Sequence, residues 1–515
     1  MPNADLILKN ASVLTMNPAQ PAAELVAIKD HRILLVGRNE SLQLVKGTGT
    51  RVIDCQGKTV VPGFNDAHCH IFAFIRMLLS TDLSPAAAGS IAAIKAAIRQ
   101  HAQDAPTGQW LTGTGYNEFY LAEKRHPTRW DLDEAAPQHP VVLIHRSLHA
   151  CVLNSLALKL AGITRETPEP PGGLIDRDHA TGEPNGRLFN MLGYIRERVL
   201  PPLSAEELEK GASLANQHYL SLGITSLQEA SAGNGLSRWQ TLGQLKISNT
   251  IMSRVTIMLG SHALSEFQEA GLAPGSGDSQ LKLGGVKIIL DQTTGRLDPP
   301  QPELNSRAAT AHRAGFQLAL HAVEEGEVAA AITALEHVRQ YPPRADRRHR
   351  IEHCSECPPH LLERLSKLKA LVVTQPPFIY YSGERYLAEV PAGQQPWLYR
   401  LNSFLNKGIT VAASSDSPVS PNNPLIGIYA AVTRRTEAGT ELPAPERIPA
   451  DAALAMYTVN AAYASFEERI KGSLTGGKLA DMVVLSHDPL TSPPEQLKDI
   501  RVEMTIIDGR VAWEV

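Results

Sequence analysis

The chain has 515 residues, 43 % of them hydrophobic and 20 % charged, with a mean hydropathy of -0.15; such a chain builds a sizeable globular core, which excludes disordered, collagen-like and lipid-embedded classes. Lys and Arg number 49 against 53 Asp and Glu, a net charge of -4, so the basic surface that phosphate neutralisation requires is missing and a nucleic-acid partner is not expected. Five cysteines are too few to staple this length and point to a reducing compartment. With neither a basic, then apolar leader nor an apolar run of about 18 residues, the expected location is the cytoplasm, with no membrane partner.

In chain order, 6–9, 11–15, 25–29, 32–36 and 51–54 read as short, half-buried strands. The far end reads alike at 481–485 and 502–507, with Asp508-Gly509 as a hairpin turn before 510–513. Neither end alone buries a core, so 1–59 and 470–515 are expected to form one composite β-sandwich. Between them, 60–469 alternates helical stretches with apolar runs at 58–64, 141–144, 224–227, 285–290, 316–320, 349–352, 370–374 and 408–413. Eight such runs predict an α/β chain with a parallel (β/α)8 TIM-type barrel. A plain barrel needs only about 250 residues. Most of the excess lies between the first and third runs, so an inserted subdomain is expected at about 71–205.

The first barrel run ends in His68 and His70. In an extended segment alternate side chains share a face, so both imidazoles are available to one metal ion at the C-terminal mouth, where barrel enzymes carry their sites. The competing reading is a pair of partly exposed turn histidines. Three further runs end in His321, His353 and Asp416, and ligands converging from several strands favour the metal. Lys287 lies inside an apolar run, where burial favours the neutral amine; beside a metal, that amine can take up carbon dioxide as a bridging carbamate. The bland alternative is a lysine that reaches the strand edge or pairs with Asp291.

The motif from Pro62 to His70, followed by Lys287, His321, Arg350 to His353 and Ser415-Asp416, resembles the amidohydrolase superfamily in residue type and chain order. Segments 108–117, 127–137, 149–158 and 422–425 are similar to its amidohydrolase-3 branch, a YtcJ-like group that includes N-substituted formamide deformylases. The resemblance extends to 476–485 and so covers nearly the whole chain. It implies that His68 and His70 hold the more buried ion, that His321 and His353 hold a second, and that Lys287 is the bridging carboxylated lysine. It also implies that Asp416 touches the metal and acts with His353 and Lys287 in catalysis. The metal implied is zinc first, with manganese or iron as alternatives and one or two ions per chain. A small-molecule substrate is the expected partner, and a homodimer is compatible with the branch. After Lys287 the chain departs from the Asp-Gly-Ser of many relatives, with Asp291-Gln292 in its place.

A divalent ion brings water from a pKa of about 15.7 towards 7. The expected reaction is hydrolysis of a non-peptide C–N bond by metal-bound hydroxide. The bond belongs to an amide, N-substituted formamide, carbamate, urea or cyclic amide, and Asp416 serves as general base and then acid. The alternatives are a deaminase or isomerase on the same scaffold, or a binding protein that has lost catalysis. Candidate substrate contacts are His149, Trp110, Tyr116, Asn117, Glu229 and Tyr380, each weighed against plain packing; for Glu229, orienting a ligand histidine is the second option. The loop 472–478 lacks the hydroxyl residue of a phosphate loop. The Cys354/Cys357 spacing reads as a helix start, and the basic run 344–350 as a solvated loop.

Overall fold

Short apolar runs separated by helices build one parallel sheet in the middle of the chain. In a computed structural model, which describes residues 2–170, 172–293, 295–342 and 347–515, its strands are Phe64–Cys69, Ile224–Glu229, Arg254–Gly260, Leu281–Ile289, Leu318–Ala322, Arg350–His353, Leu371–Thr374 and Val411–Ala413. All eight pair in parallel and in chain order. The edges meet where the Asp416 amide donates to the His68 carbonyl at 2.8 Å, which nearly closes the barrel. Strands such as Ile224–Glu229 and Arg254–Gly260 are buried at every residue, as expected where helices cover the outside and side chains fill the inside.

Two of the eight expected runs need correction. The run at 141–144 is not a barrel strand: Val141–His145 lies parallel to Leu111–Tyr116 in a separate sheet, and Arg254–Gly260 takes the barrel position. Both are short and mostly apolar, the second interrupted by Thr256, and periodicity cannot tell such segments apart. What separates them is the connection that follows. Val141–His145 turns back tightly into antiparallel Ala150–Leu153, whereas Arg254–Gly260 crosses over through helix Leu264–Glu269 to a parallel partner. The run at 58–64 splits at Gly63. Its first half, Thr59–Pro62, pairs with Met482–Leu485, and the barrel strand starts at Phe64. Glycine is required at the junction, because a Cβ on Gly63 would lie 2.1 Å from Thr225 Oγ1.

The chain ends form two sheets. One holds Arg32–Gly37, Leu25–Lys29, Leu6–Lys9 and Arg51–Asp54; the other joins Ser12–Leu14 and Thr59–Pro62 to Met482–Leu485, Val502–Ile507 and Arg510–Glu514. Leu8, Val26, Ile28, Val60, Met482 and Ile506 fill the space between them. Arg254 ties this layer to the barrel: its buried guanidinium holds Asp481 at 2.5 and 3.0 Å and also reaches Asp508. Between 81 and 189 a further six-stranded sheet has its own cores, one around Leu83, Ile94, Leu111 and Leu143 and one around Ile144, Leu153, Ile175 and Leu188. Of the basic run, 344–346 lie outside the described residues. Arg348 pairs with Glu468 at 2.8 Å and Arg350 is buried, so the end of the run belongs to the barrel and not to a solvated loop.

Candidate metal centre

The polar side chains expected at the strand ends meet at one mouth of the barrel. His68 Nε2 lies 3.4 Å from Asp416 Oδ1 and 3.3 Å from Lys287 Nζ, and His70 Nε2 lies 2.9 Å from the same Asp416 oxygen. Ligand-type atoms of His68, His70 and Asp416 all fall within 4.8 Å of one another. The His353 ring stands 4.9 Å from that of His68 and 4.4 Å from that of His321. His353 (φ 69°) and Asp416 (φ 59°) both have left-handed backbones, a strain that bulky residues keep only where the surroundings impose it.

Hydrogen bonds behind the rings decide which nitrogens face inward. His68 Nδ1 donates to Glu352 at 2.5 Å, which leaves the lone pair on Nε2. Gln375 donates through Nε2 to Ser414 Oγ at 3.0 Å, so its Oε1 accepts from His353 Nδ1 at 2.8 Å and the lone pair of His353 also sits on Nε2. His70 Nδ1 contacts Ser231 Oγ at 2.9 Å. Among the described residues, buried His353 Nε2 has no hydrogen-bond partner, and Asp416 Oδ1 has only the imidazoles of His70, at 2.9 Å, and His68, at 3.4 Å, facing it. Lone pairs that face one another with no proton between them suit a cation, so this donor set fits a divalent metal.

The charges agree with that fit. Burial drives His68 and His321 well below the usual imidazole range, with Lys287 and His353 respectively adding to the effect, and brings His353 down to about 4; all three are neutral and able to ligate. Burial also lowers the Lys287 ammonium to about 8, against the pull of Glu352 and Asp416. Asp416 is buried too, yet the imidazoles of His70, His353 and His68 outweigh burial and hold its carboxyl well below the usual range.

The candidate substrate contacts divide. His149 stands at the mouth, 46 % exposed, with its ring 6.0 Å from His321 and Nδ1 2.9 Å from Asn190, whose amide in turn donates to Asp291 at 3.2 Å. Glu229 is fully buried; it accepts from the amides of Ile71 and Ser231, and Ser231 meets His70. The remaining four make other contacts. Tyr116 Oη meets His126 at 3.0 Å, Asn117 accepts from the Phe119 amide at 3.0 Å, Tyr380 packs on Tyr381 and Tyr429, and Trp110 packs against the core that contains Ile144 and Leu153. Sequence reasoning missed Glu352 and Gln375. In a regular strand Glu352 and His353 would point to opposite faces; the left-handed φ of His353 brings both to His68. Arg350, with bonds to both Glu352 oxygens, locks the carboxylate in place.

Known proteins share this arrangement of strands. The sequence pattern of the Amidohydrolase family matches residues 51–513. The chain is 30 % identical to N-substituted formamide deformylase of Arthrobacter pascens, over 99 % of this chain and 98 % of that protein. It is 28 % identical to the putative amidohydrolase YtcJ of Bacillus subtilis, over 98 % of each. A crystal structure of an uncharacterized metal-dependent hydrolase from Pyrococcus furiosus superposes with a TM-score of 0.73 at 25 % identity, covering 94 % of this chain and 100 % of that one. The match over nearly the whole chain, on a barrel whose mouth gathers these histidines and this aspartate, identifies a member of the amidohydrolase family, an enzyme that hydrolyses carbon–nitrogen bonds with a divalent metal.

Proposed function

We propose that the chain cleaves a non-peptide amide, an N-substituted formamide being the first candidate, at a zinc site held by His68, His70 and Asp416 with His321, His353 and a carboxylated Lys287. The observation that carries this reading is the convergence of inward lone pairs on His68, His353 and Asp416, with the acceptors behind the rings already fixed. The near-full-length similarity to a formamide deformylase supports the choice of bond. Lys287, buried and lowered to about 8, has the neutral fraction that uptake of carbon dioxide needs.

A bound divalent ion supplies an acidified water, its pKa brought to about 7, and polarises the carbonyl. The protein's own groups do the rest. Asp416, ionised at any working pH, takes a proton from the attacking water and hands it to the amine, which leaves poorly as an anion. His353, held by Gln375, would offer its Nε2 lone pair to the ion and so fix it against the substrate carbonyl, and His149 stands where it can meet the substrate at the rim. We further propose that 1–59 with 470–515 act as one support for the barrel 60–469, and that 71–205 forms the wall of the substrate pocket.

The test is a release assay on zinc- or manganese-loaded enzyme over N-formyl, N-acyl, carbamate and lactam compounds, reading amine and acid. Zinc content per chain is measured in parallel for wild type and Lys287→Met. Formate and amine in equal amounts support the reading. Ammonia as the sole nitrogen product, or zinc content unchanged by Lys287→Met, would overturn the bond or the lysine role respectively.

A further inference from the structure

A second cluster of charge lies beside the metal centre, between the helix Ile71–Leu78 that follows His70 and the sheet of the 81–189 segment. Arg76, Arg146 and Arg196 line one pocket there, with Thr114 and His145, and the room among them is about 20 Å³, enough for a water or the head of a small anionic group, open on one side. Its lining follows the metal centre closely along the chain. Ala73 lies three residues after His70, Pro418 two after Asp416, and Leu148 directly before His149. Arg146 Nε donates to the Val419 carbonyl at 2.7 Å, which ties it to the Asp416 loop.

Arg146 and Arg196 lack a carboxylate counter-charge, and Arg76 feels only the more distant Glu207. No carboxylate lies within 4.0 Å of Arg76, Arg146 or Arg196 among the described residues. Arg146 Nη2, Arg196 Nε and Thr114 Oγ1 are fully enclosed without a hydrogen-bond partner. Burial, then the facing charges of Arg76 and Arg238, push Arg196 down to about 10, the direction of a cation enclosed with other cations. Buried donors left unpaired are costly, and several together in one pocket mark the place of an absent acceptor. The rest of the lining, Ala73, Met77, Ile144, Leu148 and Pro418, is apolar.

We propose that this pocket binds a small anionic group, the carboxylate of an organic substrate or a free oxyanion of similar size, held by Arg146 and Arg196 with Arg76 at the rim. The assignment to a substrate carboxylate rests on the metal centre being the reaction centre. The apolar lining favours that source, and the substrate is then an amide that carries a carboxylate and an apolar body on the same molecule.

The test is calorimetric titration of the zinc-loaded enzyme with phenylacetate, with 2-phenylethanol as its neutral counterpart, and with inorganic phosphate. Phenylacetate is expected to bind about tenfold or more tightly than 2-phenylethanol, and Arg196→Gln or Arg146→Gln to lose that advantage. Arg196→Lys, which keeps the charge and loses the planar fork, is expected to fall between, and Arg76→Gln provides a variant at the pocket edge should the buried ones not fold. Phenylacetate binding tighter than phosphate assigns the site to an organic carboxylate; the reverse order assigns it to a free oxyanion. Binding of neither anion, or equal binding in folded arginine variants, overturns the proposal. Because binding is read without turnover, intact anion binding in an enzyme that releases no amine would instead refute the proposed reaction.

Discussion

Glu352→Gln removes one charge and almost no volume, and it tests whether the carboxylate behind His68 sets the metal-facing nitrogen. In the wild type, one Glu352 oxygen accepts from His68 Nδ1 at 2.5 Å while the pair of oxygens accepts from Arg350. A glutamine cannot satisfy both partners. If its oxygen serves Arg350, its NH2 faces His68 Nδ1, which must then accept; the ring proton moves to Nε2 and points at the metal. If its oxygen serves His68, the NH2 meets the Arg350 donors in a fully buried site. Either way, ligand-ready His68 loses stabilisation, and groups of this kind are worth about ten- to a hundredfold in metal affinity, about 1.4–2.8 kcal/mol. The assay is zinc competition against a chelating indicator, with turnover measured across zinc concentrations. Excess zinc is expected to restore much of the activity, because every ligand is still present. Gln375→Met, which removes only a neutral acceptor from His353, is expected to cost less, about 0.5–1.5 kcal/mol. Unaltered zinc affinity in folded Glu352→Gln would refute the tautomer argument.

Asp416→Asn is expected to retain zinc while turnover drops by about 10²–10⁴, the usual worth of a positioned proton carrier; near-normal rates would remove Asp416 from the mechanism. Acid stability is expected to depend on His349. The Leu318 amide donates to its Nδ1 at 3.0 Å and its Nε2 meets His312 at 2.9 Å, so both ring nitrogens are engaged, and burial, with His312 beside it, lowers its pKa to about 3. The unfolded chain takes up this proton from pH 6.5 downward and the folded chain only near 3, so stability falls across that window by up to about 1.4 kcal/mol per pH unit. His349→Gln is expected to flatten that slope in urea titrations, and an unchanged slope would reject the assignment. Arg254→Met leaves Asp481 buried without its partner, and a loss of about 3–5 kcal/mol is expected in thermal or urea unfolding; a change under 1 kcal/mol, roughly the worth of an exposed pair, would show that the ion pair does not join barrel to sandwich.

The gathering of polar side chains at the barrel mouth is readable from the chain because its signals are local. A histidine or aspartate directly after an apolar run sits at a strand end whatever surrounds it, so His68, His70, His321, His353 and Asp416 were found without knowledge of neighbours. Lys287 belongs with them, because an ammonium inside an apolar run is conspicuous. Glu352 was in view within the same short segment and still went unassigned: strand alternation places it opposite His353, and only the positive φ of that residue puts both on His68. Glu229 shows the converse. Its strand-end position invites a role in the pocket, but two backbone amides occupy its oxygens.

The misplaced strand has the larger consequence. Read as a barrel strand, 141–145 would deliver Arg146 and His149 to the mouth from below, alongside His68 and His321. In the structure it belongs to the sheet of the 81–189 segment, and it brings these residues over the mouth from outside, Arg146 onto the Asp416 loop and His149 onto the rim beside His321. Arg196 arrives from the same segment's trailing helix and Arg76 from the helix that leads into it. The groups that would take hold of a bond and those that would take hold of the rest of a molecule thus come from separately packed parts of the chain, each with its own core. Changes in the 81–189 cores are therefore expected to shift KM and substrate preference while zinc affinity holds, and changes behind the barrel histidines to do the opposite.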